Sequence, residues 1–230
     1  MAYAQVPDTW VMSHARSMQP LFEAYYEGGE LVYDDSAPLD STLMHNPGLM
    51  IFRLLSDSTA LSYSLEAEES WVFEQNAEQL VFYGQRDTLS GPFSSQTMRL
   101  TSTLDAGQTE YVFTPVTLQP IDLTALSNTQ WRAQADEHPM NGAAVGFGLE
   151  APFLIPTAGD TVHKAEVYHV QIGPYFVTDY TLSHLSPQEF GIIYWLQQST
   201  DTLSGIFFPI QQEDNHAPVA QALILRQVEK

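Results

Sequence analysis

The run Asp87-Thr88-Leu89-Ser90-Gly91-Pro92-Phe93 recurs 114 positions later as Asp201-Thr202-Leu203-Ser204-Gly205-Ile206-Phe207, with six of seven residues identical in a chain of 230. Self-similarity at almost half the chain length predicts a tandem duplication. It divides the chain into a first repeat over residues 1–115 and a second over residues 116–230. Units of that length can each hold a core while sharing one interface. At the same offset Leu80–Phe82 falls on Tyr194–Leu196. With small gaps Tyr63-Ser64-Leu65 meets Tyr180-Thr181-Leu182, and Trp10 meets Trp131.

Within each half the pattern reads as one helix followed by strands. Asp8 or Thr9 is placed to cap a helix from Trp10 to Met18, because Val11, Ala15, Met18, Phe22 and Tyr25 recur at helical spacing; Pro20 interrupts it and Gly28-Gly29 ends it. In the second half Asp122 is expected to cap a weaker helix over Leu123–Asp136, anchored by Trp131. The rest alternates. Leu61, Tyr63 and Leu65 lie between Ser62, Ser64 and Glu66, and Met98, Leu100 and Leu104 alternate with polar neighbours, as strands with one wet face do. The repeated heptad reads as a hairpin turn, with Gly supplying a positive φ and Phe restarting the next strand.

The fold class expected is therefore α+β dominated by antiparallel sheet, in two similar halves. Either they form paired small barrels, or a long sheet wraps two helices. The helix-then-strands order resembles the double hot-dog arrangement in outline, and a lipocalin-like pair of barrels is the rival layout. No hot-dog catalytic motif can be placed on these residues, so the resemblance carries no site.

Charge narrows the function. Lys and Arg number 8 against 28 Asp and Glu, a formal net charge of −20, with both halves acidic. Phosphate neutralisation needs clustered Lys and Arg, so nucleic acid and anionic membrane surfaces are not expected partners. The absence of cysteine excludes disulfides, thiolate catalysis and Cys-ligated metals. No apolar run reaches the roughly 18 residues that span a bilayer. A cytoplasmic location is favoured over a secreted or periplasmic one, and no cofactor is expected.

Few residues carry a chemical signal. His163, Glu166 and His169 form H-x2-E-x2-H, but the apolar residues around them favour a strand, on which the two histidines share a face and Glu166 takes the other. The acidic loops around His138 and His216 lack EF-hand spacing, and Glu66, Glu68 and Glu69 read as a solvated charge run, so no metal site is expected. Asp40 precedes His45 much as Asp160 precedes His163, which supplies the candidate acid–base set His45, His163, Asp40 and Asp160 for a small-molecule isomerase, cyclase or dehydratase. The aromatic residues are more suggestive. Tyr and Trp combine apolar bulk with a polar tip, which suits pocket walls, and Tyr83, Trp195, Tyr180 and Tyr63 are the expected pocket residues. The favoured reading is a non-catalytic binding or assembly protein. It would use an aromatic-lined pocket or sheet surface for an apolar or neutral small molecule, or a protein partner, cationic ones included. Self-association into a homo-oligomer is compatible with it.

Overall fold

The computed structural model describes residues 8–17, 23–27, 30–34, 42–43, 49–56, 58–76, 79–104, 109–127, 129–135, 140–148, 153–156, 162–182, 189–211 and 216–228. They are almost all antiparallel strand. The first half runs β1 (Thr9–Ser17), β2 (Glu23–Glu27), β3 (Glu30–Asp34), β4 (Thr42–Leu43), β5 (Met50–Leu54), β6 (Thr59–Ser64), β7 (Glu68–Gln75), β8 (Gln79–Tyr83), β9 (Thr88–Pro92), β10 (Met98–Ser102) and β11 (Thr109–Pro115). Strands β5 to β11 pair in sequence order, and β1 closes the ring by pairing with both β5 and β11. The short β4 extends along β1 at Arg16 and Ser17, while β2 and β3 form a separate hairpin.

The second half contains α1 (Leu123–Leu126), β12 (Gln130–Gln134), β13 (Ala144–Gly146), β14 (Phe153–Pro156), β15 (Val162–Ile172), β16 (Tyr175–Leu182), β17 (Glu189–Gln198), β18 (Thr202–Gln211) and β19 (Gln221–Gln227). Strands β12 to β19 form a second closed barrel, in order. Paired barrels are thus the layout adopted, and each has eight strands. In each, alternate side chains fill the interior, Phe52, Trp71, Phe82 and Phe113 in the first and Trp131, Phe153, Phe176, Trp195 and Phe207 in the second.

Both expected long helices are corrected. Residues Trp10 to Ser17 belong to β1, whose inner face carries Trp10 and Met12 into the barrel core while Val11 on the outer face is equally buried. A strand covered on both faces shows a continuous apolar run instead of an alternation. A β-bulge between Met12 and His14 then shifts the parity, and together these mimic a helical stripe. In the second half the cap is right and the length wrong. The Asp122 carboxylate accepts from Thr124 N at 2.8 Å and from its hydroxyl at 2.7 Å, but α1 lasts only four residues. Trp131 and Ala133 then alternate with exposed Gln130, Arg132 and Gln134 as a strand; Asp136 lies outside the described residues.

The repeated heptad also takes a different role. In both copies the turn takes in only the first residue or two of it, at 84–87 and 199–202, closed by Gly84 N–H to Asp87 O at 2.9 Å and Ser199 N–H to Thr202 O at 2.8 Å. Gly91 and Gly205 are inside strands, and neither has a positive φ. Glycine is needed there for space, since a Cβ on Gly91 would lie 2.0 Å from Arg99 O, and one on Gly205 3.0 Å from the Trp195 ring. The two copies occupy different hairpins, between the fifth and sixth strands of the first barrel but between the sixth and seventh of the second.

The barrels meet wall to wall. Val11, Ile51 and Tyr63 on the outside of the first pack with Ile172, Tyr175, Val177, Ile192, Tyr194 and Phe208 on the outside of the second. The linker joins them through Val116 and Leu118, and Gln119 N–H donates to Leu196 O at 2.9 Å. The Tyr194 hydroxyl donates to Met12 O at 2.7 Å, beside the β1 bulge. Gly173, at φ 56°, makes the tight β15–β16 turn under the Tyr63 ring, where a Cβ would come within 2.2 Å.

Candidate functional site: an apolar groove on the first barrel

The four aromatic residues singled out in the sequence lie in three places. Trp195 and Tyr180 are inside the second barrel and fully buried, Tyr63 is in the wall-to-wall interface with its ring 5.6 Å from that of Tyr175, and Tyr83 is on the outer surface of the first barrel. Of the acid–base set, Asp40, His45 and Asp160 lie outside the described residues. His163 is partly buried on β15, opposite Ile155 and two residues from the core residue Ala165. His163 and His169 share the inner face of β15 by strand alternation, and Glu166 is exposed on the other. Among the described residues no group of three His, Asp or Glu side chains is gathered to hold a metal.

The second barrel's interior holds a polar chain among its aromatics. Trp195 Nε1 donates to Thr178 Oγ1 at 2.8 Å, and the same oxygen is 2.8 Å from His169 Nδ1. Indole N–H only donates, so the buried Thr178 hydroxyl satisfies its own hydrogen by donating to Nδ1. That places the imidazole proton on Nε2, which has no hydrogen-bond partner and lies beside Phe147 and Phe176, at ring separations of 5.1 and 5.7 Å. Burial lowers the His169 pKa to about 4, against a smaller opposing pull from the Gly146 backbone. Deeper in, Tyr180 donates to Glu189 at 3.3 Å; burial first, then the Glu189 carboxylate, hold the phenol proton far above its usual range. Gly191 leaves room for that phenol, since a Cβ there would stand 2.6 Å from it.

The first barrel has a buried histidine too, of the other tautomer. Ser13 gives its hydroxyl hydrogen to Val112 O at 3.0 Å and lies 2.9 Å from His14 Nδ1, so His14 is the donor in that pair. Burial, reinforced by Arg16 and then Arg99, lowers its pKa to about 4.

Apolar side chains face solvent together at one place on the first barrel's wall. The register sets Thr59 opposite Val72 and Val72 opposite Tyr83, so one outward row crosses β6, β7 and β8. Leu55, from the loop after β5, lies at its end, and Leu61 and Ser70 make the next row. Val72 is 55% exposed, Leu55 52% and Tyr83 42%, and what sets them apart from singly exposed apolar residues is that they border one groove. These residues line an open groove of about 540 Å³, bounded by the turn residues Gly84 and Gln85. Trp71 borders it too, with its indole turned into the barrel and fixed by donating to Ser62 Oγ at 2.8 Å. A Cβ on Gly84 would come 2.7 Å from that ring, so glycine keeps the turn seated against it. The Tyr83 hydroxyl reaches Glu74 Oε2 at 3.4 Å. Tyr83 is the groove residue expected in a pocket by residue type, and Trp71 belongs to the same aromatic class; Leu55, Leu61 and Val72 carry no such signal, since their meeting depends on register.

These features define an all-antiparallel double-barrel protein with packed interiors and an apolar groove on one outer wall. Comparison with protein-family profiles, with curated proteins and with solved structures finds no match to this chain. No helix among the described residues is long and apolar enough to cross a membrane.

Proposed function

We propose that this is a non-catalytic binding or assembly protein whose contact surface is the groove over Leu55, Leu61, Val72 and Tyr83. The observation that carries the reading is the exposed pair Val72 and Tyr83, held side by side in register on a closed barrel wall with Leu55 and Leu61 beside them. Apolar side chains displayed on a rigid wall suit an apolar or neutral ligand, or the apolar part of a protein partner. Fluorescence titration with the uncharged dye Nile red tests it. Val72→Ser and Tyr83→Ser should each lower the dye signal at least threefold without lowering thermal stability. A signal unchanged in both variants overturns the reading.

The enzyme alternative, an isomerase, cyclase or dehydratase using His163 with His45, Asp40 and Asp160, has less support. The inner-face neighbours of His163, Ile155 and Ala165, belong to a close-packed core cluster. We also propose that residues 1–115 and 116–230 descend from one duplicated unit. Equal strand number and an inward tryptophan on the first strand of each barrel, Trp10 and Trp131, support this. The heptad does not, since its copies are one hairpin out of phase.

A further inference from the structure

We propose that the groove receives a basic segment of a partner protein, one apolar side chain seated on Val72 and flanking lysines or arginines reaching Glu68 and Glu74. This rests on the groove being the contact surface. Along β7 the outward residues are Glu68, Ser70, Val72 and Glu74, all exposed, so the apolar position is bracketed by carboxylates on its own strand. A rise of about 3.3 Å per residue sets Glu74 about 7 Å and Glu68 about 13 Å from Val72, within reach of basic side chains beside a central anchor. Glu74 already touches the Tyr83 hydroxyl at the groove's edge.

The opposing charges are fewer. Arg53 is held by its hydrogen bond to Tyr63, and Arg86 is in the exposed turn next to Gln85. Glu66, exposed in the turn before β7, adds to the acidic side.

Two other features select this occupant. A second copy of the chain would bring a further charge of −20 against the same acidic strand, which electrostatic repulsion opposes. Strands β6, β7 and β8 are paired on both sides within a closed barrel, so a partner cannot add a strand here and must bind through side chains. The groove is also continuous with the buried interface, because Leu61 both lines it and packs against the cluster joining the barrels. Its floor is therefore set before any partner arrives, which limits the ordering cost of binding.

Fluorescence anisotropy with a labelled Lys-Lys-Trp-Lys-Lys peptide, and with Glu-Glu-Trp-Glu-Glu beside it, tests the inference on the full chain. The basic peptide should bind, and the acidic one should not. Glu68→Gln with Glu74→Gln should weaken the basic peptide at least tenfold, as should raising salt from 25 to 250 mM. Glu166→Gln with Asp201→Asn removes the same charge away from the groove and should change affinity less than twofold. Nile red binding should survive the Glu68/Glu74 pair and fail in Val72→Ser. If the Glu68/Glu74 pair leaves peptide affinity unchanged, or the control pair weakens it equally, the inference falls while the groove reading stands. If Val72→Ser alters neither probe, both fall. Wild-type self-association that Val72→Ser abolishes would assign the groove to a second copy and overturn the inference.

Discussion

The two barrels share strand number, closure and a buried tryptophan on the first strand, yet they differ in the polar groups they enclose. The second keeps polar groups inside, in the Trp195–Thr178–His169 chain and the Tyr180–Glu189 pair. The first has an inner cluster of aromatic and aliphatic side chains with the Trp71–Ser62 pair among them, and carries an exposed apolar group on its outer wall. The difference teaches that an eight-stranded wall can be specialised on either face without altering its closure. Inner polar groups are each tied to a neighbour, and the one atom left over, His169 Nε2, sits against aromatic rings. Outer apolar residues need only a neighbour in register.

The sharpest way to break the comparison is Trp195→Ala. It opens a large cavity and removes Thr178's donor, and should cost about 3–5 kcal/mol, read as a fall in the urea midpoint. His169 loses its fixed orientation with it, so near-neutral NMR shifts of its ring should change as well.

Acid should strain both barrels at once. His14 and His169 have folded pKa values near 4, below the ordinary 6.5, so unfolded chain takes up protons that folded chain refuses. The stability they give is complete above pH 6.5, is lost as pH falls toward 4 and changes no further below that. Each should contribute on the order of 2–3 kcal/mol across that window. Urea unfolding at pH 7 and pH 4.5 measures it, and His169→Phe should remove about half of the difference.

Gly173→Ala should act on the contact between barrels, with a loss of about 2 kcal/mol from positive φ and crowding of Tyr63. Quenching of intrinsic fluorescence by acrylamide should rise if the interface loosens.

The smallest effect separates the two copies of the heptad. Asp87 accepts from Thr88 N, Thr103 N, Thr103 Oγ1, Leu104 N and Ser102 Oγ. Partial burial works to raise its pKa, but these hydrogen bonds outweigh it and hold the carboxyl below its usual range. Asp201 has only exposed contacts with Ser199, Thr202 and Arg226. Asp87→Ala should cost about 1–2 kcal/mol and Asp201→Ala no more than about 0.5 kcal/mol, by thermal denaturation.

Much of the strand pattern was legible because half-buried strands alternate, as at Met98–Leu100; at Leu61–Tyr63 the alternation marked the strand but not its faces, since Ser62 points into the barrel and Leu61 and Tyr63 face outward. β1 was not, since its outer face is covered by the other barrel and a bulge resets its phase. At Trp131 the alternation with Gln130, Arg132 and Gln134 was present in the letters, and a correct helix cap at Asp122 obscured it. The heptad was read as the hairpin turn itself, yet Thr88–Pro92 and Thr202–Gln211 are strands, and Gly91 and Gly205 are there for space, because the approach of Arg99 O and Trp195 is a property of pairing. The groove was hidden for the same reason. Nothing in the chain order states that Thr59, Val72 and Tyr83 stand side by side.

Closure of the first barrel separates what holds the fold from the surface proposed to meet a partner. Trp10, Phe52, Phe82 and Phe113 secure the wall from within, while Leu55, Val72 and Tyr83 add little to that core. Substitutions along the outer row can therefore change the choice of partner while leaving the fold intact, a freedom that the second barrel's hydrogen-bonded interior does not share.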